Sequence, residues 1–158
     1  MNIKLLPSIE EVVPLLAECA LPVADVSYSS LLQFFGVRVG DALVAVVGLE
    51  LYPPFALLRS LAVAPAFRGR GLARKLVAFA ESFAAAQNIE ALFLLTTTAE
   101  SFFQRLGYSP ASRGAAPAAI QGTSQFAGLC PSSSAFLSKQ VTLVRANPAV
   151  TPDLERSE

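Results

Sequence analysis

The chain has 158 residues, enough for one domain to bury a core without disulfides. Its twelve basic and twelve acidic residues cancel, so the whole-chain charge points to neither nucleic acid nor an anionic membrane as a partner. With no histidine, and with Cys19 and Cys130 as the two cysteines, the composition excludes zinc hydrolase sites and His-based triads; neither a metal site nor a disulfide framework is expected.

The opening MNIKLLPSIEE suits neither a secretory leader nor an Arg-rich transit peptide. No apolar run reaches the roughly 20 residues of a spanning helix, and a soluble, cytoplasmic protein is the expectation. Ser8, Ile9, Glu10 and Glu11 spell a capping box for a helix whose apolar positions are Val12, Leu15, Leu16 and Cys19. Gln33–Val39 and Ala42–Leu51, joined at Gly40 and Asp41, read as a hairpin that Pro53 and Pro54 break. Leu57–Val63 reads as a buried central strand.

From Gly71 the apolar period becomes helical through Leu72, Leu76, Phe79 and Phe83, ending near Asn88. Ala91–Leu95 is a second buried strand and Thr98–Leu106 a short helix stopped by Gly107, so two parallel strands joined by a helix are predicted. Pro117 starts a helix over Ala118–Leu129, closed by Cys130 and Pro131. An alternating strand over Ala135–Leu143 follows. The domain is expected over residues 1–146, with a loosely ordered tail over 147–158.

The chemistry concentrates where the central strand passes through a Gly/Arg turn into the long helix. Gly69 and Gly71 let the backbone turn sharply, and the first N–H groups of a helix have no internal partners. Together with the peptide dipoles they make an anion site, to which Arg68, Arg70 and Arg74 add charge. Neither the Walker pattern nor the Rossmann fingerprint is present. Arg68-Gly69-Arg70-Gly71-Leu72-Ala73 instead fits Arg/Gln-x-x-Gly-x-Gly/Ala and resembles the acyl-CoA pyrophosphate loop of the GNAT superfamily of N-acetyltransferases. The segment Thr98–Tyr108 resembles that family's helix-to-strand passage ending in Gly-aromatic. Gly48–Glu50, Ala56–Val63, Thr96–Glu100 and Pro117–Gln121 are similar to the ArsN-type members associated with arsenic resistance.

The resemblance implies an α/β GNAT fold, a mixed central sheet with a parallel splayed strand pair flanked by helices. It implies acetyl-CoA as the cofactor, held by Leu61, Ala62 and Val63, by Arg68, Gly69, Arg70, Gly71, Leu72 and Ala73, and by Phe103. The acceptor it implies is a small amine resembling an amino acid. A domain that binds acyl-CoA without turnover is the alternative. The chain departs from the family twice: Phe103 stands where a proton-donating Tyr is common, and Leu57 where a Glu base is common.

Acetyl transfer needs an uncharged amine, donors for the developing oxyanion and stabilisation of the departing thiolate. Glu50, Arg59 and Ser60 are the candidate catalytic residues, Arg59 and Ser60 being expected on opposite faces of their strand. Glu50 and Arg59 are read either as a structural ion pair or as proton acceptor and binder of an acidic acceptor group. Thr96, Thr97 and Thr98 cap the next helix, from Thr98, or face the ligand. Ser101, Tyr108 and Cys130 are further proton donors in type. Gln121, Thr123, Ser124 and Gln125 lie on a helix that either covers the sheet or closes over the acceptor. The apolar C-terminal strand is compatible with a homodimer.

Overall fold

The computed structural model describes residues 2–6, 8–24, 26, 32–129 and 133–141. Cys130, Pro131, the end of the last predicted strand and the tail over 147–158 lie outside the described residues. Strands β1 (Ile3–Leu6), β2 (Leu32–Val39), β3 (Ala42–Tyr52), β4 (Phe55–Val63), β5 (Ala91–Thr96), β6 (Ser109–Pro110) and β7 (Ala135–Gln140) form one sheet in the order β1-β2-β3-β4-β5-β7-β6. All neighbours are antiparallel except β4 and β5. This is the mixed sheet flanked by helices that the sequence predicts.

Helix α1 (Val12–Glu18) crosses one face beside β3 and β4, and α4 (Ala118–Gln121) covers the β4 region of that face. Helix α2 (Leu72–Ala86) lies on the other face with α3 (Glu100–Arg105). The apolar stripe of α2 buries Leu72, Leu76, Val77, Ala80 and Ala84 against Ala45, Val47, Leu49, Ala56 and Leu58 of the sheet. Full burial of a leucine is worth about 1.5–3 kcal/mol. Asn88, at φ 68°, turns the chain out of α2, and the Ile89 N–H returns to the Ala84 carbonyl at 3.0 Å, so the predicted helix end holds. Helix α2 joins the parallel pair β4 and β5, both of which lie inside the sheet.

Four expectations need correction. The capping box does not form: the Ser8 hydroxyl accepts from the Glu10 N–H at 3.2 Å, the Glu11 carboxylate pairs with Arg38 instead, and α1 begins at Val12 without a side-chain cap. Nor does Thr98 cap α3. The Thr96 hydroxyl accepts from the Ala99 N–H at 2.9 Å, and the helix starts at Glu100. The predicted helix over Ala118–Leu129 is broken into α4 and a π turn at Gln125–Leu129. At the break, the Thr123 hydroxyl donates to the Ile120 carbonyl at 2.7 Å and accepts from the Phe126 N–H at 3.2 Å, a local side-chain competition with the helical ladder.

The fourth correction matters most for the site. Between β3 and β4 the register jumps from Val46↔Ala62 to Gly48↔Arg59, so β4 carries an extra residue, and Ser60 sits in the left-handed region at φ 57°. Alternation therefore changes parity across the bulge. Ala56 and Leu58, and beyond it Leu61 and Val63, pack in the α2 core, while Leu57 and then Ala62 serve the opposite face. Arg59 and Ser60 do not point apart: the Arg59 Nε donates to the Ser60 hydroxyl at 2.9 Å.

Candidate functional site

Strands β4 and β5 pair through only Phe55↔Ala91, Ala56↔Leu92 and Leu57↔Phe93. Beyond Leu57 they diverge, and the backbone of β4 keeps its antiparallel partner β3 while its other edge lacks a strand. A cavity of about 370 Å3 occupies the gap, walled by Leu58, Arg59 and Ser60 on one side and by Leu94, Leu95 and Thr96 on the other. Thr97, Thr98, Ala99, Phe103 and Gln125 also line it, with Leu21 and Leu61. A strand edge facing a cavity offers unpaired N–H and C=O groups, which an extended ligand carrying amides can match.

A second cavity, of about 590 Å3, runs from Leu61, Ala62 and Val63 to the Gly/Arg turn and the start of α2, and Phe102 walls it on the α3 side. Gly69 and Gly71 have φ of 78° and 79°, and nothing stands within 4 Å of where a Cβ would be at either. The glycines are needed for backbone conformation, and the space beside them is open to a ligand. The first backbone bond into α2 comes from Lys75, to the Gly71 carbonyl at 3.1 Å, so the N–H groups of the helix's first turn are available. No acidic residue stands in that turn, while Arg68, Arg70, Arg74 and Lys75 are exposed around it. Charges of this sign work against the helix dipole and favour a bound anion there. Arg68 is held by its Nε on the Val63 carbonyl at 2.9 Å, and Arg70 lies over the Phe67 ring at 4.9 Å.

At the far end the polar groups are side chains. The Arg59 side chain has no exposed surface, and its Nη1 lies 2.8 Å from Glu50 Oε2. The two residues meet diagonally across β3 and β4, since Glu50 is opposite Leu57 and Arg59 opposite Gly48. Tyr52 donates its hydroxyl to the second Glu50 oxygen. A Cβ on Gly48 would come within 2.8 Å of Phe34 Cε1 and 3.3 Å of Arg59 Cγ, so the bare glycine gives Arg59 its bed. Glu50 is not among the residues lining either cavity; it stands behind Arg59, which lines the first. Tyr52 is not among the residues the sequence singles out, Gly48 enters there only through the resemblance over Gly48–Glu50, and the cross-strand register gives both their place beside Arg59 and Glu50.

The predicted cofactor residues Leu61, Ala62, Val63, Arg68, Gly69, Gly71, Leu72 and Ala73 all line the second cavity. Arg70 flanks it. Phe103 lines the first cavity instead, and its neighbour Phe102 lines the second. Tyr108 faces away: its hydroxyl donates to Glu81 at 2.9 Å, and Lys139 bridges Glu81 and the Leu106 carbonyl. Burial, with the Glu81 carboxylate beside it, pushes that phenol far above the usual range, so it stays protonated. Ser101 is exposed and lines neither cavity. Among the described residues no group of three His, Cys, Asp or Glu side chains is placed to hold a metal, and no helix is long and apolar enough to cross a membrane.

Residues 11–108 match the model of the Acetyltransferase (GNAT) family. Among solved structures the fold resembles N-acetylglutamate synthase from Neisseria gonorrhoeae in complex with coenzyme A and N-acetyl-glutamate, with a TM-score of 0.71 and 18% identity over 90% of this chain and 36% of that longer one. A GNAT-family acetyltransferase from Staphylococcus aureus gives 0.66 and 17% over 89% and 100%. An aminoglycoside 6'-N-acetyltransferase in complex with coenzyme A gives 0.69 and 13% over 91% and 99%. No curated protein matches the sequence. Identities this low carry the fold alone.

Proposed function

The chain belongs to the acetyltransferase (GNAT) family, and from that premise we propose that it is an acetyl-CoA-dependent N-acetyltransferase of a small acceptor resembling an amino acid. The observation that carries this reading is the opening of β4 from β5 just beyond Leu57 and Phe93, beside a turn that delivers two positive-φ glycines to the start of α2. Acetyl-CoA supplies an acetyl group activated as a thioester. In this reading the N–H groups of Arg68–Ala73 bind its pyrophosphate, and the edge of β4 over Leu61–Val63 that no strand covers pairs with its amide-bearing arm. The coenzyme A complexes among the similar structures support the same cofactor.

The acceptor enters the first cavity. Arg59, with its geometry fixed by Glu50 and Ser60, binds an oxyanion of the acceptor, because a guanidinium presents several N–H donors in one plane. Glu50 receives the amine's proton through water or, standing behind Arg59, acts by keeping that guanidinium oriented. The similarity of Gly48–Glu50, Ala56–Val63 and Thr96–Glu100 to the ArsN-type enzymes favours an arsenic-containing or otherwise toxic amino acid, so that acetylation detoxifies it. One domain over residues 1–146 carries the activity.

Incubating cell extract with the protein and isotope-labelled acetyl-CoA, followed by mass spectrometry, tests the reading. A labelled N-acetyl product of a small amino-acid-like compound is expected. Tight acetyl-CoA binding without transfer to any amine would favour the non-catalytic module that Phe103 and Leu57 permit.

A further inference from the structure

Transfer takes place where the carrier of the acetyl group and the acceptor meet, and the two cavities share four lining residues: Leu21, Leu61, Thr98 and Ala99. Of these four side chains, Thr98's alone is polar. The position from which the family resemblance leads one to expect a hydroxyl is Phe103, a hydrocarbon ring buried in the core and aligned edge to face with Phe102 and Tyr108 at 5.1 and 5.5 Å. The other hydroxyls of the first cavity, those of Ser60, Thr96 and Thr97, do not line the second, and those of Ser60 and Thr96 accept from the Arg59 Nε and the Ala99 N–H. Thr98 is exposed, and among the described residues its hydroxyl makes no hydrogen bond.

Resting on the acetyltransferase reading, we propose that Thr98 is the group that hydrogen-bonds the sulfur of coenzyme A as the thioester is cleaved. In the transfer the amine nitrogen forms a bond to the carbonyl carbon, the carbon–sulfur bond breaks, and its electron pair goes to sulfur. The surplus proton on nitrogen leaves to water, so amide, thiolate and proton balance without Thr98 ionising. A hydroxyl is suited to this task and unsuited to full proton donation, since its own acidity is far below that of a thiol. Its hydrogen bond to sulfur strengthens as negative charge develops, which favours the transition state over the ground state. The Thr96 hydroxyl, not that of Thr98, accepts from the Ala99 N–H ahead of α3, and Thr98 stands at the junction with its hydroxyl uncommitted among the described residues.

The test uses coenzyme A itself as the probe, so that no acceptor need be known. The thiolate absorbs in the ultraviolet, and its titration while bound to wild type, Thr98→Val and Thr98→Ser reads the acidity of the bound thiol. A hydrogen bond to the charged form favours it, so the thiol should titrate about half a unit or more higher in Thr98→Val than in wild type. Thr98→Ser should stay near wild type, and adding Phe103→Tyr to Thr98→Val should restore part of the shift by supplying a hydroxyl from the neighbouring wall. With acetyl-CoA and the acceptor that the labelling experiment identifies, Thr98→Val should also lower kcat by about tenfold or more, leaving KM for acetyl-CoA within about twofold. Equal thiol titration in all four proteins, with coenzyme A bound, overturns the assignment to Thr98. Failure of folded wild type to bind coenzyme A overturns the acetyltransferase reading on which the assignment rests.

Discussion

At the α2 end of the cleft a ligand meets backbone: the first-turn N–H groups of a helix, reached through two glycines with open space beside them. At the Arg59 end it meets side chains, and their places depend on a bulge at Ser60, a bare Gly48 and a diagonal ion pair to Glu50 backed by Tyr52. The backbone-made end binds by conformation and tolerates change in the side chains around it. The side-chain-made end is buried, so each partner removed leaves another stranded in a medium where an unpaired charge is costly. Damage at the first end should therefore appear in cofactor affinity, and damage at the second in stability and acceptor turnover.

The largest stability effect is expected from Arg59→Met, which leaves the Glu50 carboxylate buried without its cation. The expected loss in thermal or denaturant unfolding is about 3–5 kcal/mol, and adding Glu50→Leu should return part of it. A loss as small as that of an exposed pair would break the contrast. Next comes Arg59→Lys, which keeps the charge and gives up the planar fork. Turnover of the acceptor should fall by about ten- to a hundredfold, measured by steady-state kinetics, with acetyl-CoA affinity within about twofold of wild type.

Gly48→Ala sharpens the same contrast on a smaller scale. The new methyl meets Phe34 and crowds Arg59, for an expected cost of about 1–3 kcal/mol; unchanged stability would mean that Arg59 is not seated on this glycine. Phe103→Leu should cost about 1.5 kcal/mol or less and leave the pH profile of kcat unaltered, because a phenylalanine contributes packing and no proton. The smallest effect belongs to an ion pair outside the cleft. The Arg38 guanidinium holds the Glu11 carboxyl below the usual carboxylate range, so whatever the pair contributes is present above that range and fades as pH falls through the depressed value. Both groups are exposed, and the melting temperature of Glu11→Gln at neutral pH should stay near wild type.

The same contrast decides what the sequence reveals. The backbone-made end is contiguous: strand, Gly/Arg turn and amphipathic helix follow one another over Leu61–Phe83, so its anion-binding character reads directly from spacing. The other end joins residues through strand register. Alternation places Arg59 and Ser60 on opposite faces, and only the extra residue in β4 brings them together; no residue type announces that bulge, because Ser60 is not the glycine that φ 57° would suggest. Strand β1 is likewise silent in the sequence, since Ile3–Leu6 is defined by pairing with Phe34–Val37 far along the chain. Local hydroxyl bonding misled twice, at Ser8 and at Thr123, where a short side chain bonded its own backbone in place of the expected helix.

Calorimetric titration of acetyl-CoA into wild type, Gly71→Val and Arg59→Lys tests the division of labour between the two ends most directly. At φ 79° a β-branched residue is strained even though nothing stands in its way, so Gly71→Val should disturb the turn and little else. Wild type and Arg59→Lys should bind with nearly equal affinity, and folded Gly71→Val should lose binding by about a hundredfold or more, the equivalent of two or three backbone hydrogen bonds. Wild-type affinity in folded Gly71→Val, or a loss in Arg59→Lys as large as that in Gly71→Val, would contradict the account.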